Sequence, residues 1–76
     1  MINPLNMIKP ESTLAALRRG DLAGARRLDL RGCGLEQLPQ EVFALADTLE
    51  ELDLGDNRLS ALPAELPRLH RLRVIF

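Results

Sequence analysis

The feature that most constrains the fold is an uneven spacing of leucines. Residues 49–63 read LEELDLGDNRLSALP. Counted from Leu49, the positions Leu52, Leu54, Asn57, Leu59 and Leu62 fall at offsets of 3, 5, 8, 10 and 13. A helix asks for steps of three and four throughout, and a half-buried strand asks for strict twos. The stretch does neither. One two-residue step, followed by longer steps around an asparagine, predicts a short strand, a turn, and a second segment pointing the same way.

The pattern recurs. Laying Leu49 over Ala25 gives ARRLDLRGCGLEQLP over residues 25–39. Ala25, Leu28, Leu30, Leu35 and Leu38 take the apolar places, Cys33 takes that of Asn57, and Pro39 matches Pro63. Val42 then pairs with Leu66 and Leu45 with Leu69. A third copy opens at Leu72 and continues to Ile75. Self-similarity at a period of about 20–29 residues marks a stacked repeat architecture.

On these residues the chain resembles the leucine-rich repeat family, whose unit is L-x-x-L-x-L-x-x-N/C-x-L. The resemblance runs from Ala25 to Phe76. It departs from the pattern at Ala25, where a leucine is usual, and around residues 46–48, where the first copy carries an extra residue. It implies an α/β fold, a leucine-rich repeat solenoid fragment with a short parallel sheet and an N-terminal capping helix. Residues 1–24 would form an arm and cap, and residues 25–76 two repeats plus the first strand of a third. The L-x-x-L-P ending looks like the bacterial and intracellular short-repeat types. The layout looks like the N-terminal piece of a longer protein, of which some bacterial members carry a protein kinase domain. No kinase motif is present in these 76 residues.

Composition narrows the function classes. Ten basic and eleven acidic residues leave a net charge of −1, which gives no case for nucleic acid or a membrane surface as partner. A single cysteine leaves nothing to pair with inside the chain. No apolar run approaches the roughly 18 residues of a membrane span. The N-terminus lacks the basic and apolar regions of a signal peptide, so a cytoplasmic setting is expected.

Met1 to Lys9 reads as an extended arm. Pro10 to Arg19 reads as a short helix, with Pro10 or Glu11 at its start, Arg18 and Arg19 in its last turn and Gly20 as its stop. Leu14 and Leu17, with Ala15 and Ala16, form its apolar stripe, suited to hiding the open end of a first repeat. Strands are expected at Arg27–Leu30, Glu51–Leu54 and Val74–Phe76, with Leu28, Leu30, Leu52, Leu54 and Ile75 pointing inward. The return segments, residues 40–48 and 64–71, suit irregular or single-turn helical structure, since Pro67 would interrupt a longer helix.

Few residues invite chemistry. Asn57 is placed to satisfy backbone groups where the chain leaves the strand. Cys33 holds the same place with a weaker donor and has no second cysteine beside it. His70 is expected to be a solvated loop residue without a catalytic partner. Gly32 and Gly34 are explained by tight turns. Asp29 and Asp53 would be neighbours, but on an open face without the desolvation that tunes a catalytic acid. No enzyme activity, metal or cofactor is expected.

The outward strand positions carry the functional expectation. Stacking would place Arg26, Glu50 and Arg73 in one column, then Arg27, Glu51 and Val74, then Asp29, Asp53 and Phe76, then Arg31 and Gly55. Alternating signs in the first two columns favour cross-strand ion pairs. What the resemblance implies is a protein-binding scaffold using this face. The candidate contacts are Arg27, Asp29, Arg31, Glu51, Asp53, Asp56, Arg58, Val74 and Phe76. The alternative is a purely structural cap of a longer repeat protein. Leu72 to Phe76 would form an open edge, expected to self-associate or to remain disordered.

Overall fold

A computed structural model describes the backbone of residues 10–76 and the side chains from residue 13. The expected arm at Met1 to Lys9 lies outside the described residues. The first element is an α-helix, α1, at Pro10–Arg19. Its C-terminus closes as the sequence suggests. Gly20 adopts φ 81°, its N–H bonds Leu17 O at 3.1 Å, and Asp21 N–H bonds Ala16 O at 3.0 Å. That double closure needs a left-handed residue, which glycine supplies without steric cost. Of the apolar stripe, Leu17 is buried, Leu14 and Ala16 are half-buried, and Ala15 faces water.

Three strands follow: β1 at Arg27–Asp29, β2 at Glu51–Asp53 and β3 at Val74–Ile75. They form one parallel sheet in the order β1-β2-β3. The register aligns Arg27 with Glu51, Leu28 with Leu52 and Asp29 with Asp53, then Glu51 with Val74 and Leu52 with Ile75. Each strand is one residue shorter than expected at its C-terminal end. The ladder nevertheless reaches the outlying residues, because Leu30 N–H bonds Asp53 O at 2.9 Å and Leu54 N–H bonds Phe76 O at 3.1 Å.

The return segments are 3₁₀ helices at Gln40–Leu45 and Leu66–Arg68. The first packs against α1. The extra residue of the first repeat is taken up in the turn at residues 46–48. There Thr48 Oγ1 donates to Ala25 O at 2.8 Å and ties the turn to the chain entering β1.

The core of the described residues is formed by Leu17, Leu28, Leu30, Leu35, Leu38, Val42, Phe43, Leu45, Leu49, Leu52, Leu54 and Leu69. All but two of these belong to the repeat pattern read from the sequence. Leu17 comes from the expected helix, and Phe43 lies outside the pattern. Leu35 and Leu38 of the first repeat are 7% and 5% exposed, but Leu62, the counterpart of Leu38, is 48% exposed. Ile75 faces inward beside Leu52 yet is 40% exposed, because β3 is the edge of the sheet. Each repeat is sealed by the next one along the stack.

Candidate protein-binding face

The side of the sheet opposite the core is set by alternation. Leu28, Leu52 and Ile75 turn inward, so Arg27, Asp29, Glu51, Asp53 and Val74 turn outward. A shallow groove of about 240 Å³ runs across this face, lined by Arg27, Leu28, Asp29, Glu51, Asp53 and Phe76. Five of the nine candidate residues therefore meet at one place. Val74 stands in the column of Arg27 and Glu51 but does not line the groove, and Asp56 and Arg58 lie beyond the strand on the following turn.

Ion pairs run between strands in two places. Arg27 Nε lies 3.3 Å from Glu51 Oε2, and Arg31 Nε lies 3.5 Å from Asp53 Oδ2. The first column, Arg26, Glu50 and Arg73, carries no ion pair within 4.0 Å among the described residues, in contrast to the sequence expectation. Its members join the sheet through backbone instead, as Glu50 N–H bonds Arg26 O and Arg73 N–H bonds Glu50 O.

Asp29 and Asp53 have a local task that sequence reasoning missed. Asp29 Oδ1 accepts from Arg31 N–H at 3.0 Å, and Asp53 Oδ1 accepts from Gly55 N–H at 2.9 Å. In both repeats an aspartate ends the strand by holding the amide two residues on. The signal was available, since both aspartates occupy the same offset in the two copies.

Below this face, Asn57 joins the repeats. Its Oδ1 accepts from Cys33 N–H at 3.0 Å and from Leu35 N–H at 2.9 Å. Its Nδ2 donates to Leu30 O and Leu54 O at 2.9 Å each and to Gly55 O at 3.1 Å. One side chain so serves backbone groups of both turns. Cys33, half-buried at the matching place, brings its Sγ to 3.9 Å from Arg31 O, the counterpart of the Asn57–Gly55 contact. The turn also repeats a backbone demand. Gly32 has φ 69°, and Asp56, its counterpart in the next repeat, has φ 55°. Aspartate tolerates the left-handed region better than most residues with a side chain.

The far side holds two further pairs. Arg68 lies 5.1 Å from the centre of the Phe43 ring. His70 was expected to have no positioned partner, but its Nε2 lies 3.0 Å from Asp47 Oδ1. Both residues of that pair remain exposed, so the contact links two neighbouring turns at the surface. Among the described residues no cluster of three or more His, Cys, Asp or Glu could hold a metal ion, and no helix is long and apolar enough to cross a membrane.

The family described as "Leucine rich repeat" matches residues 23–76. This chain belongs to the leucine-rich repeat family. The leucine-rich repeat region is also similar to curated proteins. It is 42% identical over 57 residues to human Erbin, covering 71% of this chain and 4% of that protein. It is 43% identical over 54 residues to the human volume-regulated anion channel subunit LRRC8E, covering 71% of this chain and 7% of that protein. A Dictyostelium discoideum protein named probable inactive serine/threonine-protein kinase roco10 is 44% identical over 50 residues, 66% of this chain and 2% of its own length. The chain thus spans under a tenth of the length of these relatives. No solved structure matches it significantly.

Proposed function

We propose that this leucine-rich repeat chain is a protein–protein interaction module that binds through the outer face of its sheet. The groove of about 240 Å³ carries the reading. It gathers Arg27, Glu51, Asp29, Asp53 and the exposed ring of Phe76, so it offers both charges and an aromatic anchor to one partner. Leucine-rich repeat domains generally serve protein interaction, which supports the reading at the level of the family. Arg31, Asp56, Arg58 and Val74 extend the contact beyond the groove. The partner chemistry that fits is a protein segment with a basic group for Asp29 and Asp53 and an apolar side chain for Phe76. Binding rather than catalysis, in a cytoplasmic setting, completes the proposal, as does membership in the L-x-x-L-P repeat type.

A second reading treats the chain as the N-terminal cap of a longer repeat protein, such as a bacterial repeat kinase, with no binding role of its own. The specific observation in its favour is that α1 seals one end of the core through Leu17, whereas Leu62 and Ile75 are left open at the other. The two readings separate in a capture experiment with folded charge-reversed variants. Arg27→Glu and Glu51→Lys, singly and together, abolish capture if the outer face binds. Unchanged capture by all three rules out the outer face as the binding surface, and absence of capture by the folded parent chain supports the cap alone.

A further inference from the structure

The turns after β1 and β2 share one hydrogen bond and differ in one side chain. Arg31 N–H donates to Asp29 Oδ1 at 3.0 Å, and Gly55 N–H donates to Asp53 Oδ1 at 2.9 Å. Stacking sets Arg31 beside Gly55. Gly20, Gly24, Gly32 and Gly34 have positive φ, but Gly55 does not, so its backbone conformation is open to other residues. What a side chain there would meet is its neighbours. A Cβ at position 55 would lie 3.2 Å from Asp53 Oδ1 and 3.5 Å from both Cγ and Cδ of Arg31. The bare backbone of Gly55 is thus a seat for the Arg31 stem, from which Arg31 Nε comes to 3.5 Å from Asp53 Oδ2. The two aspartates end up unequal. Asp53 is half-buried beneath Arg31, whereas Asp29 is exposed and has no cationic group within 4.0 Å among the described residues. Arg27, two residues before Asp29, is turned to Glu51 instead.

We propose that Gly55 is a specificity-determining residue of the outer face: by seating Arg31 on Asp53, it directs a partner's basic side chain to Asp29. This selection rests on the outer-face reading and narrows it from two carboxylates to one. Arg31 offsets the charge of Asp53 and repels a second cation there, and like charges brought together suppress the wrong docking register. Asp29 keeps its charge uncompensated while its Oδ1 holds the Arg31 amide. The asymmetry comes from position 55 alone, since the two aspartates occupy matching places in the register and hold matching amides. A larger residue at position 55 would push the Arg31 stem aside and make the two carboxylates alike. All of these groups belong to β1, β2 and the turns that follow them.

Each turn amide is bonded to one of the two carboxylates, so each reports a cation arriving there. The test is a nuclear magnetic resonance titration of the isotope-labelled 76-residue chain with methylguanidinium chloride, against sodium chloride at matched ionic strength. In the parent the Arg31 amide should shift about threefold more per unit of probe than the Gly55 amide, the selectivity that one exposed ion pair supports. Nuclear Overhauser contacts between the Arg31 δ protons and the Gly55 α protons should be present. Arg31→Gln keeps the turn amide and removes the cation, and should make the two responses equal. Gly55→Val should do the same with Arg31 intact, and circular dichroism checks that both variants fold. Equal or absent responses in the parent, missing Arg31–Gly55 contacts, or an inequality that persists in Arg31→Gln would each overturn the selection. Capture lost in the Arg27→Glu/Glu51→Lys variant, together with equal amide responses in the parent, would sink the selection and leave the outer-face reading standing. Capture unchanged in that variant would remove the reading itself, and the selection with it.

Discussion

Replacing Asn57 with alanine is expected to loosen the joint between the two repeats more than any other polar substitution. The amide accepts two backbone N–H groups and donates to three carbonyls, all between 2.9 and 3.1 Å. Two amide hydrogens serve the three carbonyls, so about four bonds are effectively lost. At a net ~0.5–1.5 kcal/mol per bond, and with water able to reach part of the half-buried site, the loss comes to roughly 2–4 kcal/mol. A small domain of 76 residues holds about 4–11 kcal/mol in total, at ~0.05–0.15 kcal/mol per residue. The variant should therefore lose a large fraction of its stability. Urea unfolding followed by circular dichroism is the assay, since the chain has no tryptophan or tyrosine to report by fluorescence. With an m-value of ~1 kcal/mol/M, the midpoint should fall by about 2–4 M. Asn57→Cys, which copies the residue native to the first repeat, should fall between the parent and the alanine variant. A loss for Asn57→Ala no larger than that of one weak hydrogen bond, about 0.5 kcal/mol, with the m-value unchanged, would refute the bridging account.

Position in the stack sets two further stability changes. Leu52 is fully buried and Leu62 is 48% exposed, so Leu52→Ala should cost about 3–4 kcal/mol and Leu62→Ala under about 1 kcal/mol by the same unfolding measurement. Gly32→Ala places a side chain at φ 69° and should destabilise by about 1 kcal/mol, whereas Asp56→Gly, at φ 55°, should be neutral or slightly stabilising. On the surface, Arg27→Glu should shift stability by at most ~1 kcal/mol, because its partner Glu51 sits on an open face. A larger loss would mean that the pair holds the sheet together rather than presenting charge to a partner.

The fold is legible in the sequence because a solenoid writes its core periodically. Leu28, Leu30, Leu52 and Leu54 recur at one interval, and that interval alone gives strand number, register and inward direction. The bounds of α1 can be read for a different reason: Pro10 and Gly20 are strong local punctuation, and Gly20 supplies the positive φ its closure needs. Side-chain partners are harder to see, and they share a form. Thr48 meets Ala25, Asp47 meets His70, Phe43 meets Arg68, and Asn57 meets Cys33, each about one repeat apart. Stacking brings such residues into contact, so these pairs are distant along the chain yet neighbours in space. A residue-by-residue reading of His70 finds no partner, whereas a scan one repeat away finds Asp47. The outer face is legible in its columns but not in its bonding. Sign alternation suggests pairs in two columns, and one column forms them. The double duty of Asp29 and Asp53, holding turn amides while lining the groove, depends on turn geometry that charge patterning does not encode.

That double duty shapes how the binding proposal has to be tested. A change at Asp29 or Asp53 disturbs the turn as well as the face, so lost capture there would be ambiguous. Arg27 and Glu51 hold no turn, and their exchange preserves the charge balance of the face. The most direct measurement is capture of a partner by the immobilised chain, comparing the parent with the folded Arg27→Glu/Glu51→Lys double variant. The outer-face account predicts that the double variant unfolds at nearly the parent's midpoint and captures nothing. Capture equal to the parent's would contradict it.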